Sequence, residues 1–92
     1  MIVAMGVVYQ NGTLGQGYNV TSSAWNDVYQ WYEITLTGIT YTGAYVTLVT
    51  PGMANGVGAV YSGQSGKLIV RILDGTPAIM KDDFSFVVLQ CP

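Results

Sequence analysis

Apolar residues along this chain come in short runs, and no long helical period appears among them. The runs are rich in Val, Ile, Thr, Tyr and Phe and are separated by Gly, Asn, Asp and Pro, which is the pattern of an all-β sandwich or barrel. Seven strands are predicted, at about 2–9, 16–21, 30–37, 44–50, 57–62, 67–73 and 83–90. Asn11-Gly12, Asn55-Gly56 and Asp74-Gly75 can supply the positive φ angles of hairpin turns. Gly63 and Gly66 flank a further turn at "SGQSGK", and Pro51, which donates no ladder hydrogen bond, ends the strand before it.

Alternation assigns faces. In 30–37, Tyr32, Ile34 and Leu36 point to the core, while Trp31, Glu33, Thr35 and Thr37 point away. A one-residue slip would bury Glu33, so this register is well determined. In 44–50, Val46 and Leu48 are expected in the core, with Tyr45, Thr47 and Val49 outside. Three strands do not alternate cleanly. Leu68, Val70 and Ile72 oppose Ile69, Arg71 and Leu73; Val3, Met5 and Val7 oppose Ile2, Ala4 and Val8; Phe84, Phe86 and Val88 oppose Ser85, Val87 and Leu89. Antiparallel sandwich strands usually carry one polar face.

Two explanations meet that pattern. The register differs and the domain closes as a barrel, or one sheet built from 1–8, 67–73 and 83–90 is covered by another copy of the chain. The second makes Ile2, Val8, Ile69, Leu73, Val87 and Leu89 the expected subunit interface. Composition favours covering. The chain is one domain, residues 1–92, yet half its residues are apolar and only 9% are charged, against a usual ~25%. A domain this small buries only about 60–65% of what its unfolded chain exposes, so apolar residues outnumber the places a single core offers.

Composition also narrows the partners. The longest apolar run, "MIVAMGVVY", is far short of the ~20 residues that cross a bilayer, so no membrane insertion is expected. With net charge −2 and only Lys67, Arg71 and Lys81 as cations, the chain lacks the basic groups a nucleic acid requires. Cys91 has no internal partner. Sequons at Asn11 and Asn19 are coincidental in so Asn/Thr-rich a chain unless it is secreted by a eukaryote.

Reaction chemistry is sparse. There is no His, which removes the commonest general base and the Ser–His and Cys–His nucleophile pairs. Of five carboxylates, Asp82 and Asp83 are adjacent and belong to a solvated turn, and Asp27, Glu33 and Asp74 are scattered. No spacing selects an acid/base pair, so no enzyme and no cofactor are expected. Asp27 with Asn26 and loop carbonyls is the one conceivable calcium site. The Gly-rich stretch 51–67 has the wrong spacing for a phosphate loop and reads as turns.

Aromatic rings and hydroxyls remain. Tyr29, Trp31 and Tyr45 are expected on one outward face, with Trp25 and Tyr41 at the adjoining ends. Such rings beside Asn, Gln and Thr can stack on a sugar, whose face is apolar and whose rim hydrogen-bonds. They are equally good strand formers and cross-strand partners.

The segments "WYEITLTGITY", "YVTLVTP", "SGKLIVRILDG" and "DFSFVVL", with the opening "AMGVVYQNGTLGQGYNVTSSAW", resemble the head module at the ends of bacteriophage tail fibres and related collagen-like fibre proteins. The resemblance covers about Val3 to Leu89 and lies in the arrangement of strand motifs. It implies a jelly-roll-like β-sandwich that assembles as a homotrimer, a structural and adhesive rather than enzymatic role, a place in the virion fibre or outside the cell, and contact with a host-surface receptor, often a glycan. A free-standing carbohydrate-binding module using Trp31 and its neighbours is the alternative.

Overall fold

The structure is a computed structural model that describes residues 1–92 except 54–55, 63–65, 77 and 92. Its strands are β1 (Ile2–Val8), β2 (Leu14–Tyr18), β3 (Val20–Asn26), β4 (Trp31–Leu36), β5 (Val46–Pro51), β6 (Val57–Ser62), β7 (Leu68–Leu73), β8 (Ile79–Met80) and β9 (Phe84–Leu89). They form two antiparallel sheets. Sheet A runs β2-β1-β9-β5; sheet B runs β3-β4-β7-β6, with β8 on the far end of β7. The expected small all-β sandwich is what the chain forms.

The count of strands exceeds the expected seven because of β3 and β8. The stretch expected as one strand at 16–21 breaks at Asn19, whose φ is 58°, a left-handed conformation that Asn tolerates better than most residues. Here the chain leaves sheet A for sheet B. The corner is tied to both: Asn19 Nδ2 donates to the Val3 carbonyl (2.9 Å), and the Asn19 carbonyl accepts from Thr37 N (2.9 Å). The first hairpin turns at Asn11-Gly12 as expected, with Gly12 N donating to Tyr9 O (2.8 Å). Gly12 has φ 93°, and a Cβ there would collide with the Trp25 backbone nitrogen. The hairpin tip thus lies against β3, where Ser23 Oγ donates to Gly12 O (2.6 Å). The predicted turns at Asn55-Gly56 and "SGQSGK" fall partly outside the described residues.

Both sheets contribute to one core. Ala4, Val8, Phe84, Phe86 and Val88 from sheet A meet Tyr32, Ile34, Leu36, Leu68, Val70 and Ile72 from sheet B, and Tyr41 joins from the β4–β5 loop. The core face expected for β4 is the one observed; of the two-faced strands, β7 turns Leu68, Val70 and Ile72 to the core and β9 turns Phe84, Phe86 and Val88. The face expected for β5 is inverted: Val46 and Leu48 are exposed (44% and 57%), while Val49 and Tyr45 pack on the core. Both faces of this segment are apolar, so alternation could not choose. Pairing with β9 did, by setting Thr47 opposite Val88 and Val49 opposite Phe86, because directly opposed residues share a face. Val49 also meets β6 closely, where a Cβ on Gly58 would stand 2.6 Å from Val49 Cγ1.

The expected sheet of 1–8, 67–73 and 83–90 does not exist. β1 and β9 pair with each other, but β7 belongs to the opposite sheet. Val8, expected at a subunit interface, is fully enclosed because it shares the inward parity of Ala4. Ile69, also expected there, is 1% exposed. It occupies the central strand of sheet B, between the long side chains of Glu33 and Tyr61 in register. Leu73 follows it on β7 and is half-buried.

Tyr32 joins the sheets. Its ring packs edge-on against Trp25 at 4.8 Å and Phe84 at 5.0 Å. Its phenol donates to Gln10 O (2.8 Å) and accepts from Asp82 N (3.1 Å). Asp82 and Asp83 are not merely a solvated turn. Asp82 Oδ2 accepts from Met53 N (2.7 Å) and Asp83 Oδ1 from Gln10 N (2.7 Å), so three loops converge on one end of the sandwich.

Tyr32→Phe should therefore cost about 1–3 kcal/mol in denaturant unfolding, since it strands a buried carbonyl and N–H. Burial raises the Tyr32 phenol above its ordinary value, with the nearby Asp82 and Asp83 charges adding to it. The phenol's contribution is complete below the unfolded value of ~10 and is lost as pH rises through the higher folded value. Alkaline melts should show wild type losing stability more steeply than Tyr32→Phe as pH rises above the unfolded value of ~10.

Candidate interaction surfaces

The outer faces of the two sheets differ in chemistry. The strands of sheet A read IVAMGVV, LGQGY, VTLVTP and FSFVVL, without one Asp, Glu, Lys or Arg. Register lays their outward residues in cross-strand rows. One row is Tyr18–Met5–Val87–Leu48, and a second is Ile2–Leu89–Val46. A third, Gln16–Val7–Ser85–Thr50, is the polar one, and its polarity is uncharged. Ile2, Met5, Tyr18, Val46 and Leu48 are all exposed. The rows border an open depression of about 510 Å³ that crosses all four strands, lined among others by Met5, Tyr18, Leu48 and Val87. Three of the six residues expected at an interface, Ile2, Val87 and Leu89, lie on this face; Val8, Ile69 and Leu73 do not.

Sheet B presents a mixed outer face. A tight turn after β3 is built on Asn26, whose Oδ1 accepts from Val28 N (3.0 Å) and Tyr29 N (3.1 Å), and it ends at Gln30 with φ 58°. That turn delivers the Tyr29 ring onto Trp31, at 4.8 Å with planes 20° apart. Trp31 in turn lies 6.4 Å from Tyr61 of β6. The Arg71 guanidinium sits over both rings, 5.3 Å from Trp31 and 5.7 Å from Tyr61, and donates through Nη2 to Tyr29 O (2.8 Å). Beside them, Glu33 Oε2 accepts from Trp31 Nε1 (3.0 Å) and Asn26 Nδ2 (2.8 Å), while Oε1 faces Lys67 Nζ at 3.5 Å.

Of the five aromatics expected together, the structure brings Tyr29 and Trp31 into contact and separates the others, with Tyr41 buried in the core. Trp25 shares the inward parity of Tyr32 and packs on the core, with Lys81 Nζ 4.9 Å from its ring. Tyr45 stacks on Tyr41 at 5.8 Å beside the core. Tyr61 and Arg71 take their places. Outward parity on β6 and β7 was the only signal for them, and it required knowing that β7 lies between β4 and β6. Asn26 and Asp27, the conceivable calcium ligands, are engaged internally: Asp27 Oδ1 accepts from Trp25 Nε1 (3.2 Å), and among the described residues no three acidic, Cys or His side chains cluster.

No protein-family model, no curated protein and no solved structure matches this chain. The resemblance to fibre-head modules thus rests on strand motifs alone.

The Glu33 carboxyl is held below the usual carboxylate range, first by the Trp31 indole, then by the Asn26 amide, with Lys67 adding to both against the opposing effect of burial. Its contribution is present above the unfolded value of ~4.3 and is lost as pH falls through the lower folded value. Glu33→Gln should flatten the acid limb of the stability–pH curve, read by thermal melts between pH 2 and 6 (a range set for the experiment, about two pH units to either side).

Proposed function

We propose that this chain is a non-enzymatic assembly module that associates with copies of itself through the outer face of sheet A. The observation that carries the reading is the absence of charge from four strands, two of whose three outward rows are apolar and expose Ile2, Met5, Tyr18, Val46 and Leu48. Solvent-facing sheets and their edges are normally guarded by charged residues, especially Lys, and contiguous exposed apolar patches mark interaction sites. The whole domain extends 36 × 23 × 22 Å, and a standard stable interface takes about 800 Å² from each partner, so a partner would cover most of one side of it. A like copy is the cheapest cover, since it brings a matching apolar surface at the same concentration.

A structural role also agrees with the carboxylates. Each of the five has an internal duty: Asp27 accepts from Trp25, Glu33 from Trp31 and Asn26, Asp74 from Thr76 and Ala78, Asp82 from Met53, and Asp83 from Gln10. The resemblance to tail-fibre heads supplies the expected order of assembly, a trimer, and the expected setting, a virion fibre or an extracellular surface. In that setting sheet A faces the threefold axis and sheet B faces outward.

Light scattering after size-exclusion chromatography should return three times the chain mass of 9.8 kDa. A dimer keeps self-association and removes the threefold order. A monomer at tens of micromolar, the range in which an interface of standard size is populated, sinks the proposal. Leu48→Asp should yield a folded monomer, because Leu48 is exposed in the single chain and a charge buried at an interface without a partner costs about 3–5 kcal/mol. Circular dichroism separates dissociation from unfolding.

A further inference from the structure

We infer that the outer face of sheet B carries a saccharide site, formed by Tyr29, Trp31, Tyr61 and Arg71, that prefers a pyranose bearing a carboxylate. The inference stands on different residues from the self-association face and does not depend on it.

The rings come first. Tyr29 is 52% exposed and Tyr61 42% exposed, although neither hydroxyl has a hydrogen bond to a described residue. Trp31, half-buried, packs with both. An isolated exposed Tyr is ordinary, but two exposed rings braced on one tryptophan, from two different strands and a turn, make a fixed aromatic surface. The bracing is built in. Gln30 adopts a left-handed backbone, which costs a non-Gly residue about 1 kcal/mol or more and persists only where surrounding contacts enforce it. The Asn26 turn and the Arg71–Tyr29 O hydrogen bond supply those contacts. Rings held in place can stack on the apolar C–H face of a sugar without an ordering penalty.

The cation decides the kind of sugar. Arg71 has one hydrogen bond among the described residues, from Nη2 to Tyr29 O, and its Nε is buried without any partner. A guanidinium carries five N–H donors; the Nε–H is the one buried without an acceptor among the described residues, and the Nη donors not given to Tyr29 O remain open to a ligand. Among the described residues no carboxylate pairs with its charge: Glu33, the acidic residue on this face, is occupied by Trp31, Asn26 and Lys67. The residue as a whole is only half-buried. A ligand carboxylate laid against its Nη edge would gain bidentate, charge-assisted hydrogen bonds. Lys67, on the same face, is already paired with Glu33 at 3.5 Å, which leaves Arg71 as the cation offered to a ligand. A neutral sugar would stack but leave the guanidinium as it is.

Isothermal titration calorimetry with two matched probes tests this: a tetrasaccharide alternating N-acetylglucosamine and glucuronate, and the neutral N-acetylglucosamine tetrasaccharide. Wild type should bind the acidic probe about tenfold or more tightly, a difference worth ~1.4 kcal/mol. Tyr29→Ala and Tyr61→Ala should each weaken both probes about tenfold. Arg71→Lys, which keeps the charge but not the fork, should reduce the preference, and Arg71→Gln should abolish it. Wild-type melting temperature in each variant shows that the fold persists. Failure of wild type to bind either probe at millimolar concentration, equal affinity for the two, or folded Tyr variants that bind as wild type does would each overturn the inference. Binding by a protein that light scattering shows to be monomeric leaves it standing and counts only against self-association.

Discussion

The buried phenol of Tyr32 is the contact on which the rest of the sandwich depends. Its ring belongs to sheet B and packs on Phe84 of sheet A. Its hydroxyl reaches past the core to the loop after β1 and the loop before β9. A buried hydroxyl is costly unless paired, so the tyrosine can sit at this depth only while Gln10 and Asp82 present their backbone groups to it. Those backbone groups are in turn held by Asp83 accepting from Gln10 N and by Asp82 accepting from Met53 N. Core packing at this end therefore fixes the loops, and the loops license the polar atom in the core. The aspartates of the last connection thus hold the loops at this end of the core.

From that core the two outer faces follow different rules. Sheet A buries one face against sheet B and leaves the other apolar and uncharged. Sheet B buries one face and dresses the other with Glu33, Lys67, Arg71 and three rings. A chain with only eight charged residues cannot cover both faces with charge, and this one has concentrated them on sheet B and the loops. The asymmetry is what separates a surface suited to a like copy from a surface suited to a polar ligand. The proposed self-association and the proposed saccharide site are compatible, since covering sheet A leaves sheet B in solvent.

Much of the fold was legible because the physics behind it is local. Alternation around Glu33 determined the register of β4, since the slipped register would bury a carboxylate. Asn11-Gly12 announced its hairpin because few other residues accept that backbone. The break at Asn19 was missed because Asn at positive φ leaves no trace in apolar periodicity, and the strand appeared to continue. β5 was inverted because Val46, Leu48 and Val49 satisfy either face, so the decision passed to its neighbour Phe86 across the ladder. The aromatic site was half legible for the same reason. Tyr29 and Trp31 are joined through a local turn, whereas Tyr61 and Arg71 arrive from strands far along the chain.

By itself, then, the sequence determined the class of fold, most strand positions, the scarcity of charge and the surplus of apolar residues, because composition and period-two patterning act within a strand. Only the tertiary structure decided that β7 lies in the sheet opposite β1 and β9, which enclosed Ile69 and Val8 and moved the uncovered apolar face to Met5, Leu48, Val87 and Leu89. Strand order depends on contacts between residues distant in sequence, and alternation within a strand says which residues share a face but not which strands share a sheet.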